Sequence, residues 1–213
     1  MENRFHELPA EKRRRIVSAA LEVFGREEYR RASTDEIAAR AGISKGLLFY
    51  YFRSKKELYL FLIHLLEKTL VRLVADEEFY SITDFFELLR YTARKKAAIF
   101  RKNPHMLAFS LRSYYSVKED VSDAMQQATL TVMDHMDVFF KNIDVSPFRE
   151  GKSPEEALQT LIWLADGYLH QLQMRRQTLD IDEFLRRYDG WIRMVRREFY
   201  REECLHEQDS TGH

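Results

Sequence analysis

"SKGLLFYYFRSKKEL" occupies residues 44–58 and places four aromatic residues in a row, at positions 49–52. Successive residues of an α-helix are turned by about 100°, so four neighbours sweep about 300° around the helix axis. A single buried face is too narrow to cover all four rings. The stretch therefore predicts a short helix in which some aromatic side chains point away from the protein core.

Helical geometry divides this row into an inner and an outer set. If Leu48 marks the direction of the core, Phe52 lies about 40° from it and pairs with it one turn later. Phe49 and Tyr51 fall at the two edges of this stripe, where a side chain can serve either packing or binding. The sequence thus predicts that Leu48 and Phe52 are core residues, and it leaves both roles open for Phe49 and Tyr51.

The outer set consists of Gly46, Leu47 and Tyr50, and this ridge contains no acidic residue. A soluble protein seldom leaves such a ridge in contact with water alone. The major groove of DNA admits one α-helix. Gly46 would let the backbone approach closely, and Tyr50 offers a hydroxyl and a ring to the duplex. The ridge therefore indicates a face that contacts DNA.

The residues around the ridge support this interpretation. Residues 34–52 read as a helix, a glycine-containing turn and a second helix, which is a helix-turn-helix pattern. Ser33 and Thr34 lie at a helix N-terminus, where free N–H groups favour a phosphate. Lys45 and Lys55 bracket the second helix, where they can meet phosphates or a guanine edge.

The remainder of the chain also has helical character, because glycine and proline are scarce and apolar residues recur at helical spacing. The predicted helices cover residues 10–25, 34–42, 45–52, 54–75, 82–101, 104–116, 118–142, 154–176 and 181–203. We therefore expect an all-α fold of about nine helices. A three-helix head in residues 1–53 would precede a helical body in residues 54–205 and a polar tail in residues 206–213.

Composition limits the compartment and the partners. The net charge is zero, but residues 1–60 carry more basic than acidic residues and the rest of the chain carries the matching acidic excess. This distribution is a hint of an anionic partner for the head. A single cysteine excludes an intrachain disulfide, and neither a signal peptide nor an apolar run long enough for a bilayer is present. We expect a soluble cytoplasmic protein without a membrane partner.

The segment "STDEIAARAGISKGLLFYYFRSKKEL", residues 33–58, resembles the DNA-binding signature of TetR-family transcriptional regulators. The resemblance extends over about residues 10–60. It implies a homodimer in which each head places its third helix in a major groove of a palindromic operator. It also implies a helical body that binds a small-molecule effector, and repression as the usual mode of action.

The positions that match the family's DNA contacts, together with the helix N-terminus at Ser33, give the candidate DNA-binding residues. These are Ser33, Thr34, Lys45, Gly46, Leu47, Phe49, Tyr50, Tyr51 and Lys55. Two of them depart from the commoner pattern, since Leu47 stands where threonine is frequent and Phe49 where tyrosine is frequent. Each departure removes a hydroxyl, which affects the operator sequence that we expect rather than the mode of binding.

The last two predicted helices are apolar on more than one face, whereas a helix with one solvent-exposed side typically has a single apolar stripe. They are either central core helices or an interface between two chains. Binding of two operator half-sites requires two copies, and we expect the interface. Its candidate residues are Leu161, Leu164, Tyr168, Leu172, Tyr188, Trp191, Ile192, Val195 and Phe199.

The middle helices carry an aromatic and methionine-rich stripe, a pattern more often found in a core than in a pocket. The family resemblance favours a pocket, which would be mostly apolar and suit a hydrophobic or amphipathic effector such as a drug-like compound or an acyl-chain metabolite. A ligand wedged against the fourth helix would change the distance between the two heads. The candidate lining residues are His64, Met106, Phe109, Tyr114, Met125, Thr129, Met133 and Trp163.

The sequence contains none of the common catalytic or metal-binding motifs that we considered. The seven histidines are dispersed, and no HExxH pair, glycine-rich phosphate loop or GxSxG elbow occurs. We expect no enzymatic activity, no metal and no cofactor. Two alternatives stay open: a DNA-binding protein of the same fold with a solid body, and a helical ligand-binding or interaction module that has lost DNA binding. A ligand-induced shift of the melting temperature would exclude the first alternative, which has no ligand. A salt-dependent affinity for DNA would exclude the second, which does not bind DNA.

Overall fold

The computed structural model describes residues 5–114, 121 and 140–205. These residues form helices and connecting segments, and their only β-type pairing is an isolated antiparallel bridge between Phe148 and Tyr200. The expected all-α class is confirmed. The chain divides into two compact units: the described residues of Met1–Leu73 with Ile99–Met136, and those of Val74–Ala98 with Asp137–His213. The predicted functional boundary after residue 53 stays a prediction.

The first unit contains the N-terminal helices. In chain order they are α1 (Ala10–Arg26), α2 (Thr34–Ala41), α3 (Lys45–Phe52) and α4 (Lys55–Val74), followed after a gap in sequence by α7 (Pro104–Tyr114). Helix α1 packs against both α2 and α7. The centre of this unit is apolar and includes Ile16, Phe24, Ile37, Leu48, Tyr59 and Phe109.

The second unit contains the C-terminal helices. Helix α5 (Glu77–Ser81) is followed by α6 (Phe85–Lys102), which begins in this unit, and later by α8 (Pro154–Met174) and α9 (Ile181–Phe199). Its core combines residues from α6, α8 and α9, from the loop before α8, and Tyr200, which follows α9. The buried members are Phe85, Phe86, Leu89, Phe148, Ala157, Leu161, Ile192, Val195, Phe199 and Tyr200.

Capping aspartates account for the largest departure from the predicted helices. Asp76 accepts a hydrogen bond from the N–H of Phe79 and starts the unpredicted short helix α5. Asp84 accepts one from the N–H of Glu87 and starts α6 three residues later than expected. Each aspartate satisfies a backbone donor that the first turn of a helix leaves free. The predicted helix over residues 118–142 lies almost entirely outside the described residues.

No helix within the described residues is long and apolar enough to cross a membrane.

Candidate nucleic-acid interface

Three local contacts fix the turn between α2 and α3. Ser33 accepts a hydrogen bond from the N–H of Glu36 and caps α2. Gly42 ends that helix with a φ of 66°, in the left-handed region that glycine enters without a steric penalty. Ser44 then accepts a hydrogen bond of 3.1 Å from the N–H of Leu47 and caps α3. The angle between the two helices is therefore set by the backbone and two serine hydroxyls.

The side chains of α3 are distributed as the helical period predicts. Leu48 and Phe52 are 1% and 5% exposed and face the core, whereas Tyr50 is 56% exposed. Phe49 and Tyr51 are half-buried at the two edges. The predicted inner and outer sets are confirmed for these five residues. The outward face of α3 is thus held in position by the aromatic side chains behind it.

The other two residues of the predicted ridge differ from each other. Gly46 is exposed, and a methyl group added at its Cα would meet no atom within 4 Å. Leu47 is half-buried, so the exposed ridge is narrower than the sequence suggested. The chain itself leaves the space beside Gly46 open.

The two candidate lysines are both engaged within the chain. Lys45 Nζ lies 2.8 Å from Asp35 Oδ2 in an exposed ion pair. Lys55 Nζ donates to the carbonyl oxygens of Arg30 and Ala32 at 3.1 and 3.2 Å. Lys45 can exchange a surface carboxylate for a phosphate at little cost. Lys55, in contrast, also ties α4 to the segment before α2.

A network of charges attaches α2 to α1 beside the turn. Arg26 donates to Glu36 at 2.6 Å, and Arg40 bridges Glu36 and Glu22 at 2.9 and 2.7 Å. The hydrogen bond from Arg26, reinforced by that from Arg40, holds the pKa of Glu36 below its ordinary value. Two helices of the head are thereby joined by surface charges as well as by their buried faces.

The residues before α1 complete the head, and no pattern in the sequence predicted their structure. Phe5 is 3% exposed and contacts the rings of Tyr51, Phe52 and Phe61. An isolated aromatic residue among polar neighbours has no periodicity that could have revealed its burial. The sequence pattern therefore did not reveal a residue that is in direct contact with α3.

Helix α7 contacts α1 at Gly25. Arg112 Nε donates to the carbonyl oxygen of Gly25 at 3.0 Å. A Cβ atom at residue 25 would lie 3.0 Å from both Ala108 Cβ and the backbone nitrogen of Phe109. The sequence suggested Gly25 as a helix stop, but α1 continues to Arg26 and the glycine instead permits this close approach.

The predicted pocket residues that the structure describes differ in their exposure. The side chains of His64 and Trp163 are exposed, and His64 pairs with Glu67. Phe109 is fully buried against Tyr59 and Phe24, while Tyr114 is exposed. Met106 is buried on α7, and Met125, Thr129 and Met133 lie outside the described residues. The assignment of His64 and Trp163 to a pocket is therefore corrected: both belong to the surface.

The predicted interface residues divide into two groups. Leu161, Ile192, Val195 and Phe199 are buried in the core of their own chain, so their place in an interface is corrected. The others are half-buried: Leu164, Tyr168, Leu172, Tyr188 and Trp191. The sequence could not separate these groups because all of them are apolar or aromatic and lie on the same two helices, which are apolar on more than one face.

The exposed face of α8 and α9 carries apolar residues that the sequence did not assign to an interface. Trp163 is 66% exposed and Met194 is 54% exposed. Next to Met194, a groove of about 610 Å³ is lined by Thr160 and Gly190 and by α9 residues that include Arg193 and Arg197. A tryptophan with this exposure is unusual on a surface that meets only water.

Within the described residues, no group of histidine, cysteine and acidic side chains could hold a metal ion.

A capped helix-turn-helix whose second helix exposes a tyrosine is an arrangement typical of nucleic-acid-binding proteins. Residues 16–61 match the family model of "bacterial regulatory proteins, tetR family". Over 58 residues the chain is 50% identical to the HTH-type transcriptional activator FasR of Mycolicibacterium smegmatis. That match covers 27% of this chain and 26% of FasR.

Solved structures extend the similarity to the whole fold. A TetR family transcriptional regulator from Chloroflexus aurantiacus superposes with a TM-score of 0.64 at 22% identity, over 94% of this chain and 98% of the other. The regulator FadR from Bacillus subtilis, solved in complex with stearoyl-CoA, gives 0.61 at 16% identity, over 85% and 96%. At these identities the likeness is one of fold. Residues 16–61 therefore resemble the DNA-binding region of the TetR family, and the chain shares the fold of solved TetR-family structures.

Proposed function

We propose that the protein is a transcriptional regulator that binds double-stranded DNA through the outward face of α3. The observation that carries this proposal is the exposure of Tyr50 and Gly46 on a helix whose other side is locked into the core. Gly46 allows the helix backbone to approach the major groove, and Tyr50 extends into it. The position of α3 is fixed before binding, because the serine caps and Gly42 already set the turn between α2 and α3.

The surrounding residues would anchor this helix to the phosphate backbone. The N-terminus of α2, at Ser33 and Thr34, offers free N–H groups and a positive dipole to one phosphate. Lys45 can leave Asp35 for another phosphate, since an exposed ion pair of this kind contributes only about 0–1 kcal/mol. The hydroxyl of Tyr51, at the edge of the helix, can donate a hydrogen bond to a phosphate oxygen. Such contacts position the protein, while the face of α3 reads the bases.

The same proposal includes a homodimer that binds a palindromic operator. The exposed Trp163 and Met194 on α8 and α9 supply an apolar patch, and a two-fold arrangement would bury the same patch on both copies. Exposed acidic residues at the start of α8, Glu155 and Glu156, are complementary in charge to Arg186 and Arg197 on α9. Two heads joined in this way bind two half-sites one helical turn apart.

Selection from random duplex DNA tests the proposed DNA binding. The purified protein is expected to enrich a palindromic sequence whose half-sites are separated by about one helical turn. The matched control is Tyr50→Ala, which removes the exposed ring without touching the core and is expected to abolish the enrichment. Failure of the wild-type protein to enrich any sequence at low salt would contradict the proposal.

The proposed effector is a small hydrophobic or amphipathic molecule that binds the helical body. Two observations support it: FadR of Bacillus subtilis has this fold and was solved with stearoyl-CoA, and α7 bonds directly to the head through Arg112 and Gly25. A ligand that moved α7 would displace the end of α1. The effect requires a ligand with different affinities for the two arrangements of the helices.

Thermal melting and DNA binding with a series of acyl-CoA thioesters test the effector. We expect a long-chain member to raise the melting temperature and to weaken binding to the selected palindrome, and free coenzyme A to do neither. The absence of a melting shift across acyl-CoA thioesters, free fatty acids and apolar drug-like compounds would favour a regulator with a solid body. Repression is tested separately by a reporter that carries the palindrome at its promoter, where loss of the protein should raise transcription.

A further inference from the structure

The N-terminal turn of the chain is folded onto the recognition helix. Phe5 is almost completely buried, and its ring centroid lies 4.9 Å from that of Phe52 and 5.1 Å from that of Phe61. A third contact of 6.1 Å, in an edge geometry, reaches Tyr51. Phe5 thus joins a core aromatic residue of α3 to one at the edge of its outward face.

The turn that carries Phe5 is held by polar contacts as well as by its ring. Arg13 donates from Nη1 to the carbonyl oxygens of His6 and Leu8, the latter at 2.7 Å. The N–H of Leu8 donates to the carbonyl oxygen of Phe5 at 3.3 Å. A guanidinium on α1 therefore fixes the backbone on both sides of residue 7, and the Phe5 ring enters the cluster from a defined direction.

Tyr51 is the side chain that transmits this packing to the outer face. Its ring contacts Phe5 on one side and, at 5.3 Å, the exposed Tyr50 on the other, again edge to face. Aromatic pairs in this geometry restrict the orientation of each ring, because the edge of one must meet the face of the next. The three rings of Phe5, Tyr51 and Tyr50 therefore form a continuous series of edge contacts from the buried side of α3 to its exposed side.

We propose that Phe5 is a positioning residue for DNA binding, which orients Tyr51 and Tyr50 from behind. The inference rests on the proposed function and adds a residue that the helix-turn-helix pattern does not contain. A side chain oriented before binding loses less rotamer entropy when it meets the duplex. Phe5 thereby contributes to DNA affinity without touching DNA.

A double-mutant cycle between Phe5 and Tyr51 tests this role. The affinity for the selected palindrome is measured by fluorescence anisotropy for the wild type, Phe5→Ala, Tyr51→Ala and the double variant. We expect Phe5→Ala to raise the Kd about 3- to 10-fold in the wild-type background and less than about twofold in the Tyr51→Ala background. Equal effects of Phe5→Ala in both backgrounds would overturn the proposal.

Phe61→Ala is the matched control. Phe61 lies on α4 and contacts the rings of Phe5 and Phe52 in the same cluster. Its removal is expected to lower the melting temperature as Phe5→Ala does, yet its effect on DNA affinity should be the same with and without Tyr51. If Phe61→Ala showed the same coupling to Tyr51 as Phe5→Ala, the role of Phe5 would be only structural, and the proposal would be wrong.

A second variant keeps the test decisive if Phe5→Ala loses its cooperative thermal transition. Phe5→Leu retains most of the apolar volume but not the ring edge, and the same cycle applies with a smaller expected coupling. The selection experiment distinguishes failure of the proposed DNA binding from failure of the proposed role of Phe5. A wild-type protein that binds no DNA removes both proposals, whereas a wild-type protein that binds with additive variants removes only the role of Phe5.

Discussion

The head and the pair α8–α9 both present aromatic residues to solvent, but they do so in different ways. In α3 the exposed Tyr50 lies on a short helix with a capped N-terminus and a buried opposite side. On α8, the exposed Trp163 lies on a long helix whose buried side belongs to a large apolar core. The comparison indicates that a fixed turn identifies an exposed functional face more securely than overall hydrophobicity does.

The proposed roles of the two regions also differ, since one would contact DNA and the other a second copy of the chain. Substitutions in the head should change DNA affinity and leave the oligomeric state unchanged. Substitutions on the exposed side of α8 should change the oligomeric state first and DNA affinity as a consequence. The following predictions begin with the largest expected effect.

Trp163→Glu is expected to disrupt the proposed homodimer and to leave a monomer. A charge placed at the centre of the proposed apolar patch must be desolvated when the patch is buried. Loss of the second head should raise the Kd for the palindrome by about 100-fold or more, because binding of the second half-site is no longer intramolecular. Sedimentation and anisotropy measure the two effects. The control is Val145→Glu, at an exposed loop position of the same unit, and a Trp163→Glu protein that remained dimeric would contradict the proposed interface.

Gly46→Ala is expected to separate stability from DNA binding. The added methyl group meets no atom of the chain, and alanine in place of glycine within a helix stabilises by about 0.5–1 kcal/mol. The same methyl group would occupy the space needed by the duplex and should raise the Kd about tenfold. Thermal melting and anisotropy should therefore move in opposite senses. Unchanged affinity would show that α3 does not approach the groove at Gly46.

Asp76→Asn tests a charge that serves the fold of the second unit. Hydrogen bonds from Lys95, Tyr91 and the N–H of Phe79 hold the pKa of Asp76 well below its ordinary value. A lowered pKa in the folded state means that the ionised carboxylate stabilises the protein above its unfolded pKa, near 4, and that this stabilisation is lost as the pH falls. The wild type should melt a few degrees above the variant at pH 7, and the gap should shrink toward pH 3. A gap independent of pH would contradict the assignment.

Asp35→Asn is the counterpart in the head and should have the smallest effect. Asp35 holds Lys45 in an exposed ion pair, and its charge would also repel a nearby phosphate. Neutralising it is expected to lower the Kd for DNA about two- to fivefold and to steepen the dependence of affinity on salt. Asp76→Asn should leave DNA affinity unchanged under the same conditions. An unchanged Kd for Asp35→Asn would place Lys45 away from the phosphate backbone.

The sequence predicted the head well because its signals are local. The period of 3.6 residues separated Leu48 and Phe52 from Tyr50, and the serine caps and Gly42 marked the turn. Each of these features acts over a few residues. The local signals were therefore sufficient to predict the helix-turn-helix, and the similarity to other proteins supplied only the family that it resembles.

Features that depend on distant residues could not be predicted in this way. The burial of Phe5 and the engagement of Lys55 with the carbonyl oxygens of Arg30 and Ala32 arise from segments far apart in sequence. The contact of Gly25 with α7 joins residues more than 80 positions apart. In α8 and α9, the sequence does not distinguish the apolar residues that are buried in the core from those that remain half-buried, because only tertiary packing makes that difference.

The central claim is that the outward face of α3 enters the major groove of DNA. Photocrosslinking tests it most directly, with bromouracil in place of each thymine of the selected palindrome in turn, because the bromine lies in the major groove at the position of the thymine methyl group. We expect at least one half-site position to crosslink to the peptide that contains Tyr50 and Tyr51, and we expect Tyr50→Ala to lose that product. A crosslink that maps to another helix, or binding without any crosslink to α3, would contradict the account.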